Sequence, residues 1–153
     1  MDIQIKRTKD HGVIAKLNES VQTLHYRLYP REFKKFDLSS ATNFFKKILI
    51  SNDSYAFIAE VDTEPVGYIL CILKTRKENE FQYEKKTLCI DQISLNDEFR
   101  KLGIGRNLMN EAFELAKELR VTEIQLDHWV NNEDAGRFFK QMGFEHYKYK
   151  MKK

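Results

Sequence analysis

The segment from Leu88 to Arg120, LCIDQISLNDEFRKLGIGRNLMNEAFELAKELR, constrains the chain more than any other. An apolar run of strand character, Leu88 to Leu95, passes through a polar stretch into two glycines one residue apart. Beyond them Ile104, Leu108, Ala112, Leu115, Ala116 and Leu119 recur on one helical face. A strand, a glycine turn and an amphipathic helix in succession require a layered fold in which the helix covers the sheet that holds the strand.

The remaining segments extend this unit. Ile3 and Ile5 alternate with polar residues as a first strand over residues 2 to 7. Val13, Leu17, Val21 and Leu24 give helical spacing from His11 to about Tyr29, where Pro30 ends the helix. A second helix is expected over Ser40 to Leu49, capped by Ser39 or Ser40. YAFIAEV and VGYILCILK, separated by a turn at Asp62 to Pro65, read as a buried hairpin, with Thr75 to Lys86 as its loop or exposed continuation. After the central helix, EIQLDHWV reads as a strand. NNEDAGRFFKQMGFE then reads as a helix with Asn131 or Asn132 as cap, Glu133 and Asp134 at its positive end and Gly143 as its left-handed stop. HYKYKMKK, alternating aromatic residues and Met151 with lysines, reads as a last, half-buried edge strand. The fold class is therefore mixed α/β, a mixed sheet flanked by helices.

Composition narrows the setting. The chain has 153 residues, 42% of them hydrophobic, and no Gly/Ser/Pro-rich linker, so one domain over residues 1–153 is expected. Its 26 basic and 23 acidic residues nearly cancel, which argues against nucleic acid as partner. Cys71 and Cys89 lie in apolar strands without ligand spacing, so no metal site is expected. No leader-like apolar core opens the chain and no apolar run reaches the roughly 18 residues of a membrane span, so the expected setting is a reducing cytoplasm without membrane contact.

The turn RKLGIG carries the first chemistry. Gly103 and Gly105 let the backbone turn tightly where the next helix offers unpaired N–H groups and a positive dipole end, and Arg100, Lys101 and Arg106 add charge; phosphate oxygens suit such a place. A Walker P-loop would need Gly-Lys followed by Ser or Thr. The dinucleotide fingerprint would need glycine or alanine where Leu108 stands.

At this point the sequence resembles the GNAT superfamily of acyl-CoA-dependent N-acyltransferases. Its hallmark Arg/Gln-x-x-Gly-x-Gly/Ala, between the fourth strand and third helix, is met by Arg100, Gly103 and Gly105. The family's N-x-x-A-x-x-F-Y-x-x-x-G-F segment is met by Asn132, Ala135, Phe138, Gly143 and Phe144, with Trp129 just upstream. The resemblance covers nearly the whole chain. It implies the acyl-CoA N-acyltransferase fold, a mostly antiparallel sheet whose fourth and fifth strands splay apart. It also implies acetyl-CoA as co-substrate, an amine as acceptor, and room for a homodimer.

The resemblance likewise implies site residues. Ile93, Ser94 and Leu95 would pair with the pantetheine amides. Lys101, Leu102, Gly103, Ile104, Gly105 and Arg106, with Arg100, would bind the pyrophosphate, and Asn132 and Phe138 would contact the pantetheine arm. Asn132 also reads as a plain helix cap. Direct attack of a neutral amine on the thioester needs a proton acceptor, an oxyanion donor and help for the leaving thiolate. Asp91 is the candidate base, or else it binds the substrate cation, and a backbone N–H at Ser94 or Leu95 is the candidate oxyanion donor. His128 suits proton transfer near neutrality but also suits a hydrogen-bonded structural role. Phe139 stands where many relatives carry a tyrosine acid, so the thiolate would leave unaided or with Tyr147. Tyr26, Tyr29 and Phe33, together with His128, are candidate acceptor-pocket residues. The competing reading is a non-catalytic acyl-CoA-binding module.

Overall fold

A computed structural model describes residues 1–153. Five strands form one sheet in sequential order. β1 (Ile3–Thr8), β2 (Ser54–Val61), β3 (Glu64–Arg76) and β4 (Lys85–Leu95) pair antiparallel; β5 (Ile124–Gln125) joins β4 in parallel. This is the expected mixed, mostly antiparallel sheet. The β2–β3 hairpin turns through Asp62 and Thr63, both at positive φ, a two-residue turn whose twist matches that of the strands.

Helices cover both faces. On one, α4 (Ile104–Glu118) and α5 (Glu133–Gln141) enclose a cluster that includes Phe57, Ile69, Leu88, Leu108 and Phe139. On the other, α1 (His11–Leu17) and α3 (Leu38–Ile48) enclose Ile14, Phe45, Tyr68 and Leu70. No helix is long and apolar enough to cross a membrane.

Four expectations are corrected. The single helix from His11 to Tyr29 is broken at Asn18 into α1 and α2 (Glu19–Leu28). Asn18 is buried, and its Nδ2 donates to Tyr68 Oη (3.0 Å) and Gln92 Oε1 (3.3 Å). The side chain is thereby satisfied against the sheet while the backbone of Asn18 stays helical, and α2 leaves none of its residues fully buried. Second, α3 starts at Leu38 and is capped by Asp37, which accepts from Ser40 N (2.8 Å), not by Ser39 or Ser40. Third, EIQLDHWV pairs only at Ile124 and Gln125. Fourth, the last strand does not form: residues 144–153 have no regular structure, and Tyr147, Tyr149 and Met151 are exposed. So short a β5 offers no continuous ladder for the alternating HYKYKMKK to join.

The splay of β4 from β5 has a local origin. Leu70 pairs with Gln92 but Cys71 with Ile90, so Asp91 is the extra residue of a β-bulge. Leu88 and Ile90 face the α4 cluster before it, Ile93 and Leu95 after it, a step of three where an unbroken strand steps by two. Bulges bend a strand and increase its twist. Pairing with β5 ends at Cys89, two residues before the bulge.

Candidate active site

Beyond Cys89, β4 has no strand on its β5 side, and this free edge runs through Ile93, Ser94 and Leu95 towards the turn that starts α4. Its geometry is held from the opposite face, where Ser94 Oγ donates to the Leu17 carbonyl and Ser20 Oγ to that of Leu95, both at 3.2 Å.

The turn itself holds Lys101 at φ 63° and Gly103 at φ 83°. Gly103 is the residue before α4 and supplies no capping side chain, so the first-turn N–H groups of Ile104, Gly105 and Arg106 point outward uncapped. A Cβ at Gly103 would meet nothing within 4 Å; what disfavours a side chain there is the left-handed backbone, and anything added would project into open space. Gly105 has a different task. A Cβ there would rest 3.5 Å from Phe138 Cζ, so the glycine lets the Phe138 ring lie over the start of α4. Arg100 folds back onto Asp97 (3.0 Å), while Lys101, Leu102 and Arg106 are exposed.

Asn132 caps α5: its Oδ1 accepts from Ala135 N (3.3 Å), and its Nδ2 bonds to nothing in the chain. Phe139 is buried, its ring 6.0 Å from that of His128. His128 is half-buried, with Nε2 3.0 Å from Nε2 of His146. It also explains Gly136, since a Cβ at that position would stand 3.0 Å from His128 Cε1. Tyr147 lies not beside Phe139 but in a cleft bordered by β3, β4 and β5.

Of the three aromatic residues assigned to the acceptor, Tyr29 and Phe33 come together on Trp129, with centroids at 4.6 and 5.2 Å, and Tyr29 Oη accepts from Asn131 N (2.9 Å). The chain after α2 is thereby tied to the loop between β5 and α5. Tyr26 points elsewhere, carrying Lys35 over its ring. His25 packs on Phe33, and burial lowers its pKa.

Asp91 stands at the bulge. Partial burial pushes its carboxyl above the usual range, Lys74 opposes this, and Asp127 adds to it. Sequence reasoning missed Asp127, Lys74 and the buried Tyr68–Gln92–Asn18 hydrogen bonds behind the bulge. The alternation Gln125, Asp127 along EIQLDHWV was the one available signal for the second carboxylate; the bulge that brings it near Asp91 leaves none.

An open sheet with a free central edge running into an uncapped helix start defines the architecture of acyl-CoA N-acyltransferases. Residues 18–144 match the Acetyltransferase (GNAT) family, and the chain belongs to that family. An uncharacterized N-acetyltransferase of Methanocaldococcus jannaschii is 30% identical over 125 residues, 80% of this chain and 54% of that protein. An N-alpha-acetyltransferase of Sulfurisphaera tokodaii is 32% identical over 108 residues, 69% of this chain and 65% of that protein. The chain thus spans about half to two thirds of the length of these curated relatives. Among solved structures, a tetramutant of the BH1408 protein from Bacillus halodurans has the same fold, with a TM-score of 0.89 at 22% identity over 99% of this chain and 98% of that one. The aminoglycoside N-acetyltransferase AAC(6')-Iy in complex with CoA has a TM-score of 0.73 at 16% identity, over 99% and 93% of the two chains.

Proposed function

We propose that the chain transfers an acetyl group from acetyl-CoA to a primary amine of a small molecule or peptide by direct attack. The observation that carries this reading is the continuous track formed by the free β4 edge and the uncapped α4 start. Backbone groups from Ile93 to Leu95 suit the pantetheine amides, and the N–H groups of the Lys101 to Arg106 turn suit a pyrophosphate. The unused Nδ2 of Asn132 and the ring of Phe138 border the same track. CoA in the AAC(6')-Iy complex supports the donor, and the name of the Sulfurisphaera relative supports an α-amine among the acceptors.

The donor supplies a thioester carbonyl open to a neutral amine. Asp91, with its raised pKa, accepts the amine proton directly or through a water. An N–H at Ser94 or Leu95 stabilises negative charge on the carbonyl oxygen. Phe139 gives no proton, so the thiolate leaves unaided; a thiol pKa of about 8.5 makes it a tolerable leaving group. That same residue favours a second reading, a non-catalytic acyl-CoA-binding module.

Thermal melting with acetyl-CoA tests donor binding: ligand at about 100 times its Kd adds about 2.7 kcal/mol and raises Tm by several degrees. Gly103→Glu removes that shift, because its carboxylate projects into the proposed phosphate site. An unchanged shift would refute the cradle. Thiol release across a panel of amines separates the enzyme from the binding module, which binds donor but turns over with no amine.

A further inference from the structure

A cleft of about 510 Å³ opens on the α1/α3 face of the sheet, beyond the ends of those helices. Its volume is in the range of ligand sites. Lys74, Arg76, Lys85 and Lys148 line it above a floor of Thr87 and Cys89. The register pairs Lys74 with Thr87 and Arg76 with Lys85, so the cations stand side by side along two strands. Only Lys85 is neutralised, by Glu123. Arg76 donates to the carbonyl of Tyr83 (3.1 Å), and Lys74 and Lys148 form no ion pair, although Lys6, Arg7, Arg100, Lys117 and Arg137 on other surfaces all do. Three cations without an ion pair, and no carboxylate in the lining itself, leave a place for anionic groups.

The cleft ends at Cys89 and Gln125, each two residues short of the carboxylates of the proposed reaction centre. Lys85, Thr87 and Cys89 alternate along one face of β4, and Asp91 follows on that face at the bulge; Asp127 follows Gln125, at the cleft wall, by two residues, beyond the end of β5. At a strand rise of about 3.3 Å per residue, Cys89 and Thr87 lie about 7 and 13 Å from Asp91. An extended peptide advances by about the same amount per residue. A chain with its amino group between Asp91 and Asp127 therefore carries its second to fourth residues past Lys74 towards Arg76 and Lys148. A free amino acid, with both charges in one residue, reaches Lys74 at most.

We infer that the acceptor is an acidic peptide whose free amine enters between Asp91 and Asp127 and whose carboxylates at the second to fourth positions lie against Lys74, Arg76, Lys85 and Lys148. This rests on the acetyl-transfer reading above.

The test is thiol release from acetyl-CoA at low ionic strength with three tetrapeptides of common first residue, bearing Glu, Gln or Lys at positions two to four, and with free glutamate. The expected kcat/KM for the Glu peptide is at least about tenfold above that for the Gln peptide, the Lys peptide is slowest, and 0.5 M salt narrows the differences, since screening then acts within a few ångströms. The double variant R76E/K148E reverses the order while its melting shift with acetyl-CoA stays as in the parent. Equal rates for the Glu and Gln peptides, or an order unmoved by the double variant, overturn this inference alone. Free glutamate turned over as fast as the Glu peptide overturns the peptide assignment. Donor binding with no turnover of these four acceptors overturns this inference, and the acetyl-transfer reading falls with it only where the wider amine panel is inert too.

Discussion

Replacing Gly67 by alanine tests whether β3 fixes the position of the free β4 edge. Gly67 faces Leu95 across the ladder, and a Cβ on it would stand 2.6 Å from the Ser94 carbonyl oxygen and 2.8 Å from Leu95 Cδ1. The leucine methyl can swing away; the carbonyl is main chain and cannot move without β4. Restoring an ordinary carbon–oxygen contact takes a shift of roughly 0.7 Å or more at Ser94. Overpacking of this kind costs about 1–3 kcal/mol. For a chain of this size each kcal/mol lowers Tm by roughly 2–4 °C, so a fall of roughly 2–12 °C is expected by calorimetry without ligand. Because the shift falls on Ser94 and Leu95, acetyl-CoA affinity by titration calorimetry drops as well. Gly105→Ala is the control. Its Cβ would sit at an ordinary 3.5 Å from Phe138, and alanine is better than glycine inside a helix by about 1 kcal/mol, so its Tm holds or rises. A Gly67→Ala protein melting within about 1 °C of the parent would refute the idea that β3 sets this edge.

Tyr68→Phe removes the hydroxyl that joins Asn18 to Gln92, and a loss of about 1 kcal/mol in urea denaturation is expected; an unchanged midpoint would mean that the polar group behind the bulge contributes nothing to folding. Asp91 carries a native pKa above its ordinary 3.8, so the folded state binds more protons than the unfolded one between those values, and stability falls as pH rises through that window. Asp91→Asn should therefore melt above the parent at pH 7, with the difference closing below pH 3.8, and should lower kcat; a variant that melts below the parent at pH 7 would reverse the sign of this reasoning. Burial pushes the Cys71 thiol up to about 12; it also raises that of Cys89, but Cys89 is only half-buried and opens on the cleft. A neutral maleimide at pH 8 should label Cys89 first, as read by peptide mass analysis, and labelling of Cys71 at an equal rate would count against the rigidity of the β3–β4 ladder.

The legible parts of the fold were those fixed by local period. α4, α5 and the β2–β3 hairpin stand where the repeats of Ile104, Ala135 and Tyr55 put them, because each has one face to bury. The break at Asn18 was illegible, since the helical spacing of Val13 to Leu24 continues through it and the interaction that overrides it comes from Tyr68 and Gln92, far away in the chain. The last strand failed for the converse reason: HYKYKMKK alternates correctly, but a strand also needs a neighbour, and local sequence carries no information about one. At the site, the glycine turn was legible as chemistry, yet the separate tasks of Gly103 and Gly105 depend on where Phe138 lies. Asp91 stood out as a carboxylate in a strand; its companion Asp127, just past β5, and the neighbouring Lys74 of β3 lie elsewhere in the chain and come near it only when the sheet is assembled.

The bulge at Asp91 makes β4 two half-strands with opposite parity. Upstream, odd-numbered residues face the basic cleft; downstream, odd-numbered residues face the α4 cluster and even-numbered Ser94 is anchored to α1. Substitutions at Lys85, Thr87 or Cys89 therefore reshape one binding surface without touching the backbone that serves the other. A chain built this way can change the charge and shape of its basic cleft through drift in three side chains while the half that forms the free edge stays fixed, so the two surfaces can vary independently.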